Sequence, residues 1–104
     1  MIRHHVFVRF APERTDDEID ELLAGLHGVC GPLEGILDVR IGPNLSPEDE
    51  VVHGLHHGFV IDFDGVTARD AYLVDEQHQA FGSRLVAAAD GGTAGIVVFD
   101  LELD

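Results

Sequence analysis

Positive charge is scarce in this chain of 104 residues, and lysine is missing altogether. Six arginines (Arg3, Arg9, Arg14, Arg40, Arg69 and Arg84) stand against 20 Asp and Glu, a net charge of −14. A surface this acidic repels phosphate backbones and anionic lipid, so nucleic-acid partners and docking on a membrane surface are excluded. No apolar run approaches the roughly 20 residues that a membrane span needs. With one cysteine, Cys30, no internal disulfide can form, which fits a reducing compartment. The opening MIRHHVFVRF enters a strand pattern at once and shows no signal-peptide h-region, so a cytoplasmic location is expected. Repeats, low-complexity tracts and linkers are absent. So are a P-loop, a GxGxxG fingerprint and a GxSxG elbow, and Cys30 has no evident base beside it. The composition that remains, 45% hydrophobic and 25% charged, is that of a globular protein. The length allows one domain spanning residues 1–104.

Residues 2–10 alternate in a two-residue period, with Ile2, His4, Val6, Val8 and Phe10 on one face and Arg3, His5, Phe7 and Arg9 on the other. Pro12 ends this strand. Thr15 followed by Glu18 reads as a capping box, and Ile19, Leu22, Leu23 and Leu26 continue at helical spacing until the helix fades between Gly28 and Pro32. A second strand covers Gly35 to Gly42, and the stretch PNLSPEDE is a surface loop. A third strand is expected from about Val51 to Asp64. Thr67 is a candidate cap for a short helix from Ala68 to Val74, and a further helical piece runs from Gln77 to Ala89, closed by the Asp90-Gly91-Gly92 turn. The last strand, Gly95 to Leu103, puts Ile96 and Val98 on one face and Val97, Phe99 and Leu101 on the other.

The order is β-α-β-β-α-β, an α+β, ferredoxin-like arrangement with a four-stranded antiparallel sheet, strand order 4-1-3-2, and the helices on one face. The first and third strands are expected to be central neighbours running in parallel. The last strand is apolar on both sides, and no residues remain to cover the second face of the sheet. A second copy of the chain is the simplest cover, so a homodimer with two sheets face to face is expected. On that outer face Arg9 and Asp62 are expected to pair.

The segments RHHVFVRF, GLHHGFVIDF and YLVDEQHQAF together resemble the stress-responsive dimeric α/β-barrel (Dabb) family, and the likeness runs along essentially the whole chain. Its most specific parts are His4, His57 and the Tyr-x5-His-x2-Phe segment formed by Tyr72, His78 and Phe81. The resemblance implies a ferredoxin-like subunit that dimerises into a barrel. Olivetolic acid cyclase-type members close a linear polyketide by an aldol condensation with neither metal nor organic cofactor. That likeness places the working groups at Tyr72, His78 and His57. Asp75-Glu76 stands where such members often have His-Pro.

These residues outline a site. His4, Val6, Val8, Phe59, Ile96 and Val98 on the sheet are expected to face Leu22, Leu23, Leu26 and Phe81 on the helices. Together they would line an apolar pocket with His4, His57, His78 and Tyr72 at its mouth. Its ligand is expected to be small, largely apolar and carbonyl-bearing. A histidine near neutrality removes a proton α to a carbonyl, and a tyrosine hydroxyl holds the enolate oxygen. His78 is the base in this reading, Tyr72 the donor and His57 the orienting or second acid–base group, with no cofactor. A different class of function is a non-enzymatic stress-responsive dimer or ligand carrier. A third uses His4, His57 and His78 as three imidazole ligands for a metal.

Overall fold

The two-residue period at the start of the chain is a burial pattern. Ile2, His4, Val6 and Val8 turn into the protein, and Phe7 turns out. A computed structural model describing residues 1–104 shows β1 (Ile2–Val8), α1 (Asp16–Cys30), β2 (Ile36–Pro43), β3 (His57–Phe63), α2 (Val66–Val74), α3 (Glu76–Ala88) and β4 (Ile96–Glu102). The Thr15 hydroxyl accepts from the Glu18 N–H at 3.1 Å, and the Glu18 carboxylate accepts from the Thr15 N–H at 3.3 Å. This capping box holds two otherwise orphaned donors, a contribution of about 1 kcal/mol. It also sets the phase in which α1 buries Ile19, Leu23, Leu26 and Val29.

The sheet order, β2-β3-β1-β4, is the expected one, but every neighbouring pair is antiparallel, β1 with β3 included. The crossover through α1 returns β2 parallel to β1, and the loop after β2 reverses the chain. β3 therefore has to run against β1 rather than with it. The register sets His4 opposite Ile61 and Val8 opposite His57, so His4 and His57 lie at opposite ends of the sheet. β3 also begins six residues later than the sequence suggests. The stretch before it forms a 3₁₀ turn at Asp49–Val51 and then a left-handed step at His53 and Gly54, with φ of 55° and 72°.

The helical half differs in its caps. α2 starts from Gly65, with no side-chain cap, and Thr67 lies within its first turn. α3 is capped by Asp75, whose carboxylate accepts from the His78 N–H at 3.0 Å. The departure Asp75-Glu76 thus supplies a helix start: Asp75 is the cap and Glu76 the first helical residue. The sheet and helices enclose a core of Val6, Val8, Leu26, Phe59, Ile61, Phe63, Tyr72 and Phe81. On the other face of the sheet Phe7, Val97, Phe99 and Leu101 are exposed, and no element of the chain covers them. Val98 has helix-side register yet is 58% exposed. Asp62 pairs with Arg3, directly opposite on β1, at 2.9 and 3.1 Å. Arg9, beyond the end of β1, reaches Asp90 and the carbonyls of His53 and Ala94 instead.

α2 is seated on the turn before β2. Gly35 has φ +80°, and a Cβ there would lie 2.6 Å from the Ala68 Cβ and 2.9 Å from Asp64 Oδ1. Gly35→Ala is therefore expected to destabilise the fold by about 2–3 kcal/mol, from backbone strain and overpacking together. Urea denaturation measures this, and a loss below about 0.5 kcal/mol would mean that α2 is not held by this contact.

Candidate functional site

Four elements bring polar groups together beneath the edge of the sheet. β1 supplies His4, which is 4% exposed. β4 supplies Asp100, directly opposite His4 in the antiparallel register. His4 Nδ1 lies 2.6 Å from Asp100 Oδ1, and Arg69 Nη1 of α2 donates to Asp100 Oδ2 at 2.7 Å. One helical turn beyond Arg69, α2 carries Tyr72, 1% exposed, whose ring meets His4 edge-on at 5.7 Å. His78, in the first turn of α3, packs against Tyr72 with ring centroids 4.0 Å apart and ring planes tilted by 39°. Phe63 closes the group, 6.0 Å from His4 and 5.3 Å from Tyr72.

The electrostatics follow from burial. Desolvation would raise the Asp100 carboxyl, but hydrogen bonds from His4 and Arg69 outweigh it and hold the group below the usual carboxylate range. An ionised Asp100 takes the Nδ1–H of His4, which for the neutral ring leaves Nε2 as the acceptor. Burial pushes the Tyr72 phenol well above its ordinary value, with the Cys30 thiol adding to the shift, so it stays a proton donor. Burial lowers His78 below 6.5, reinforced by His4 and opposed by the Leu73 carbonyl and Asp75. His78 Nδ1 is buried with no hydrogen-bond partner. Such an orphaned group costs about 1–3 kcal/mol. An imidazole packed against a protonated phenol sets a candidate base beside a proton donor. The Cys30 thiol is pushed up to about 11 by burial, which leaves it inert as a nucleophile.

The other residues expected at the site are dispersed. His57 is four register positions from the residue opposite His4, roughly 13 Å along the strand. It meets Phe10 edge-on at 5.4 Å and lines two surface clefts, of about 570 and 390 Å³. The larger lies under the β2–β3 loop. The smaller lies between α1 and β2, with Leu23 and His27 in its wall. Val6, Val8, Leu26, Phe59 and Phe81 are core residues, Phe59 and Phe81 meeting edge-on at 6.0 Å. Leu22 packs at the edge of that core and lines a third cleft with Phe10 and Arg84, and Ile96 is half-buried. The three-imidazole set of His4, His57 and His78 is not assembled, and no group of three or more His, Cys, Asp or Glu is placed to hold a metal ion. No helix is long and apolar enough to cross a membrane. Asp100 and Arg69 were not anticipated. Asp100 was detectable, since it follows Ile96 and Val98 at the same two-residue step and so is a carboxylate on the helix-facing side. Arg69 carries no such mark, because its partner lies 31 residues along the chain.

Residues 2–103 match the family described as the Stress Responsive A/B Barrel Domain. A solved structure described as a dimeric ferredoxin-like protein of unknown function, from Jannaschia sp. CCS1, is 36% identical, with 98% of each chain covered and a TM-score of 0.88. At 20% identity the fold also matches an Arabidopsis thaliana protein over 100% of this chain and 96% of that one, TM-score 0.87. A hydroxynitrile lyase from Passiflora edulis matches over 99% and 93%, with 20% identity and a TM-score of 0.84. No match was found among curated proteins.

The buried groups make stability depend on pH in two windows. His78 is harder to protonate folded than unfolded, so its contribution is present above 6.5 and is lost as the pH falls through its lower folded value. The gap in unfolding free energy between the wild type and His78→Phe is expected to move against the wild type from about pH 7 to pH 5. A gap that stays constant would show that the ring is not desolvated. Asp62 and Asp100, both held low, add a second loss that begins below about pH 4.

Proposed function

On the premise that the chain belongs to the Stress Responsive A/B Barrel Domain family, we propose that it acts on a small, largely apolar, carbonyl-bearing molecule by His/Tyr acid–base catalysis, using its own side chains alone. The observation that carries this reading is the packed Tyr72–His78 pair with its bare, buried imidazole nitrogen. In the proposed step His78 removes a proton from the carbon next to the carbonyl. The electron pair moves onto the carbonyl oxygen, and the Tyr72 hydroxyl donates a hydrogen bond to that oxygen. His4, held by Asp100, is the second acid–base group, the place the sequence reading gave to His57. The enolate then attacks a second carbonyl, expels a leaving group or takes its proton back at another atom: cyclase, lyase or isomerase. The Passiflora protein of this fold is described as a hydroxynitrile lyase, so the fold is compatible with lyase chemistry.

A second reading has its own support. Tyr72 and His4 are 1% and 4% exposed, and the clefts of about 570 and 390 Å³ open elsewhere. An interior filled by its own side chains fits a non-enzymatic dimer or a ligand carrier. Deuterium exchange at the α-carbon of simple enolisable ketones, followed by NMR, separates the two. The wild type is expected to accelerate exchange, and His78→Ala to lower the rate by about 10²–10⁴-fold while the melting temperature is kept within a few degrees. Tyr72→Phe is expected to lose a smaller factor. Exchange no faster than buffer in the wild type, or undiminished in His78→Ala, would favour the carrier.

The same proposal includes a homodimer. Phe7, Val97, Phe99 and Leu101 form a contiguous exposed apolar face, of the kind that marks an interface, and the Jannaschia structure is described as dimeric. Light scattering at micromolar concentration is expected to give twice the chain mass, and Phe99→Asp to give a folded monomer. A wild-type monomer would defeat this part.

A further inference from the structure

Arg69 takes no part in the proton transfers proposed above, yet it is tied into them. α2 carries Arg69 and Tyr72 at a spacing of three residues, so both lie on one side of the helix. Tyr72 reaches the aromatic cluster, and Arg69 reaches across to β4. Its Nη1 donates to Asp100 Oδ2 at 2.7 Å and its Nε to Asp70 Oδ1 at 2.8 Å, leaving the guanidinium 23% exposed. Asp100 is thus shared. One oxygen holds Arg69 and the other holds His4 Nδ1. β4 otherwise has little to fix this carboxylate. It is an edge strand, bonded only to β1, with six of its seven residues exposed or nearly so.

We infer that Arg69 is a positioning residue that governs how Asp100 acts on the His4 ring. The physical reason is charge sharing. A carboxylate facing an imidazole alone stabilises the imidazolium, whereas one already paired with a guanidinium offers the ring a hydrogen bond with much less net negative charge. Arg69 therefore orients the His4 ring through the carboxylate that the two share. The inference rests on the reading of His4, Tyr72 and His78 as the site, and its test does not depend on turnover. The titratable and charged groups facing His4 and its ring partners are Asp100 on β4, Tyr72 and Arg69 on α2, His78 with its cap Asp75 at the start of α3, and Cys30 at the end of α1 beside Tyr72. Asp70 is the second partner of Arg69. The other groups are the same in wild type and variant, so a change in the His4 titration reports on Arg69 acting through Asp100.

The experiment is an NMR titration of the imidazole signals in the whole protein, with His4 assigned through His4→Gln. Arg69→Met is expected to raise the His4 pKa by about one unit relative to wild type, and to release the Nδ1–H to faster exchange with water. Arg69→Lys keeps the charge but loses the planar fork that reaches Asp100 and Asp70 from separate nitrogens, so its His4 titration is expected between the two. Should Arg69→Met fail to fold, Arg69→Lys against wild type reads the same shift at smaller amplitude. A His4 titration that coincides with wild type in the folded variants overturns the inference and leaves Arg69 a surface strap. Loss of α-carbon exchange in His78→Ala together with an unmoved His4 titration in Arg69→Met would retain the proposed reaction and reject Arg69. The reverse result would retain Arg69 and reject the reaction.

Discussion

A buried imidazole needs a partner for its ring nitrogen, and at His4 that partner is the Asp100 carboxylate 2.6 Å away. This one hydrogen bond depends on strand register. β1 and β4 are neighbouring antiparallel strands, residues directly opposite each other in a sheet share a face, and the register puts Asp100 across from His4. A slip of one residue would turn the carboxylate to the outer face of the sheet and leave the imidazole alone in the core. α2 then has to lie where Arg69 and Tyr72 both reach this pair, and Gly35, without a Cβ against Ala68, lets it approach that closely.

The acidic balance of the chain falls away from this interior. Asp16, Asp17 and Glu18 occupy the first turn of α1, where the helix dipole favours them, and Asp49 and Glu50 begin the 3₁₀ turn in the β2–β3 loop. The few arginines are placed at particular carboxylates: Arg3 at Asp62, Arg9 at Asp90 and Arg69 at Asp100. Of these pairs only Arg69–Asp100 is extended by a buried group, His4. Its removal is therefore felt inside the protein, whereas a surface pair is largely screened by water.

Much of the fold was readable because it rests on local signals. The period of β1, the Thr15–Glu18 box and the order of the elements give the sheet order and the helix-covered face directly. Strand direction was misread at β1 and β3, since alternation has a period but no sense; the crossover through α1 and the reversing loop after β2 together carry that information. The error had a consequence at the site. With parallel strands His4 and His57 share an end of the sheet, and with antiparallel strands His57 is carried to the other end, beside Phe10. Tyr72 and His78 were legible because one helical stretch holds both. The carboxylate and guanidinium behind them were not, because that network is made by contacts 31 and 96 residues apart in the chain.

The start of α3 shows how a local substitution bears on the proposed chemistry. Asp75 caps the helix by accepting from the main-chain N–H of His78, which satisfies the backbone of that residue and fixes where the helix begins. The ring gains nothing from the cap: its Nδ1 remains buried without a partner while the face of the ring lies against Tyr72. Were the helix to start one residue later, the side chain at position 78 would rotate by about 100° around the helix axis and leave the tyrosine. A carboxylate at 75 therefore acts on the site through geometry as well as charge. It opposes the lowering of the His78 pKa by burial, and it fixes the backbone from which the imidazole projects. The unsatisfied nitrogen is a stability cost in the resting protein, and a ligand offering a proton to it would remove that cost on binding.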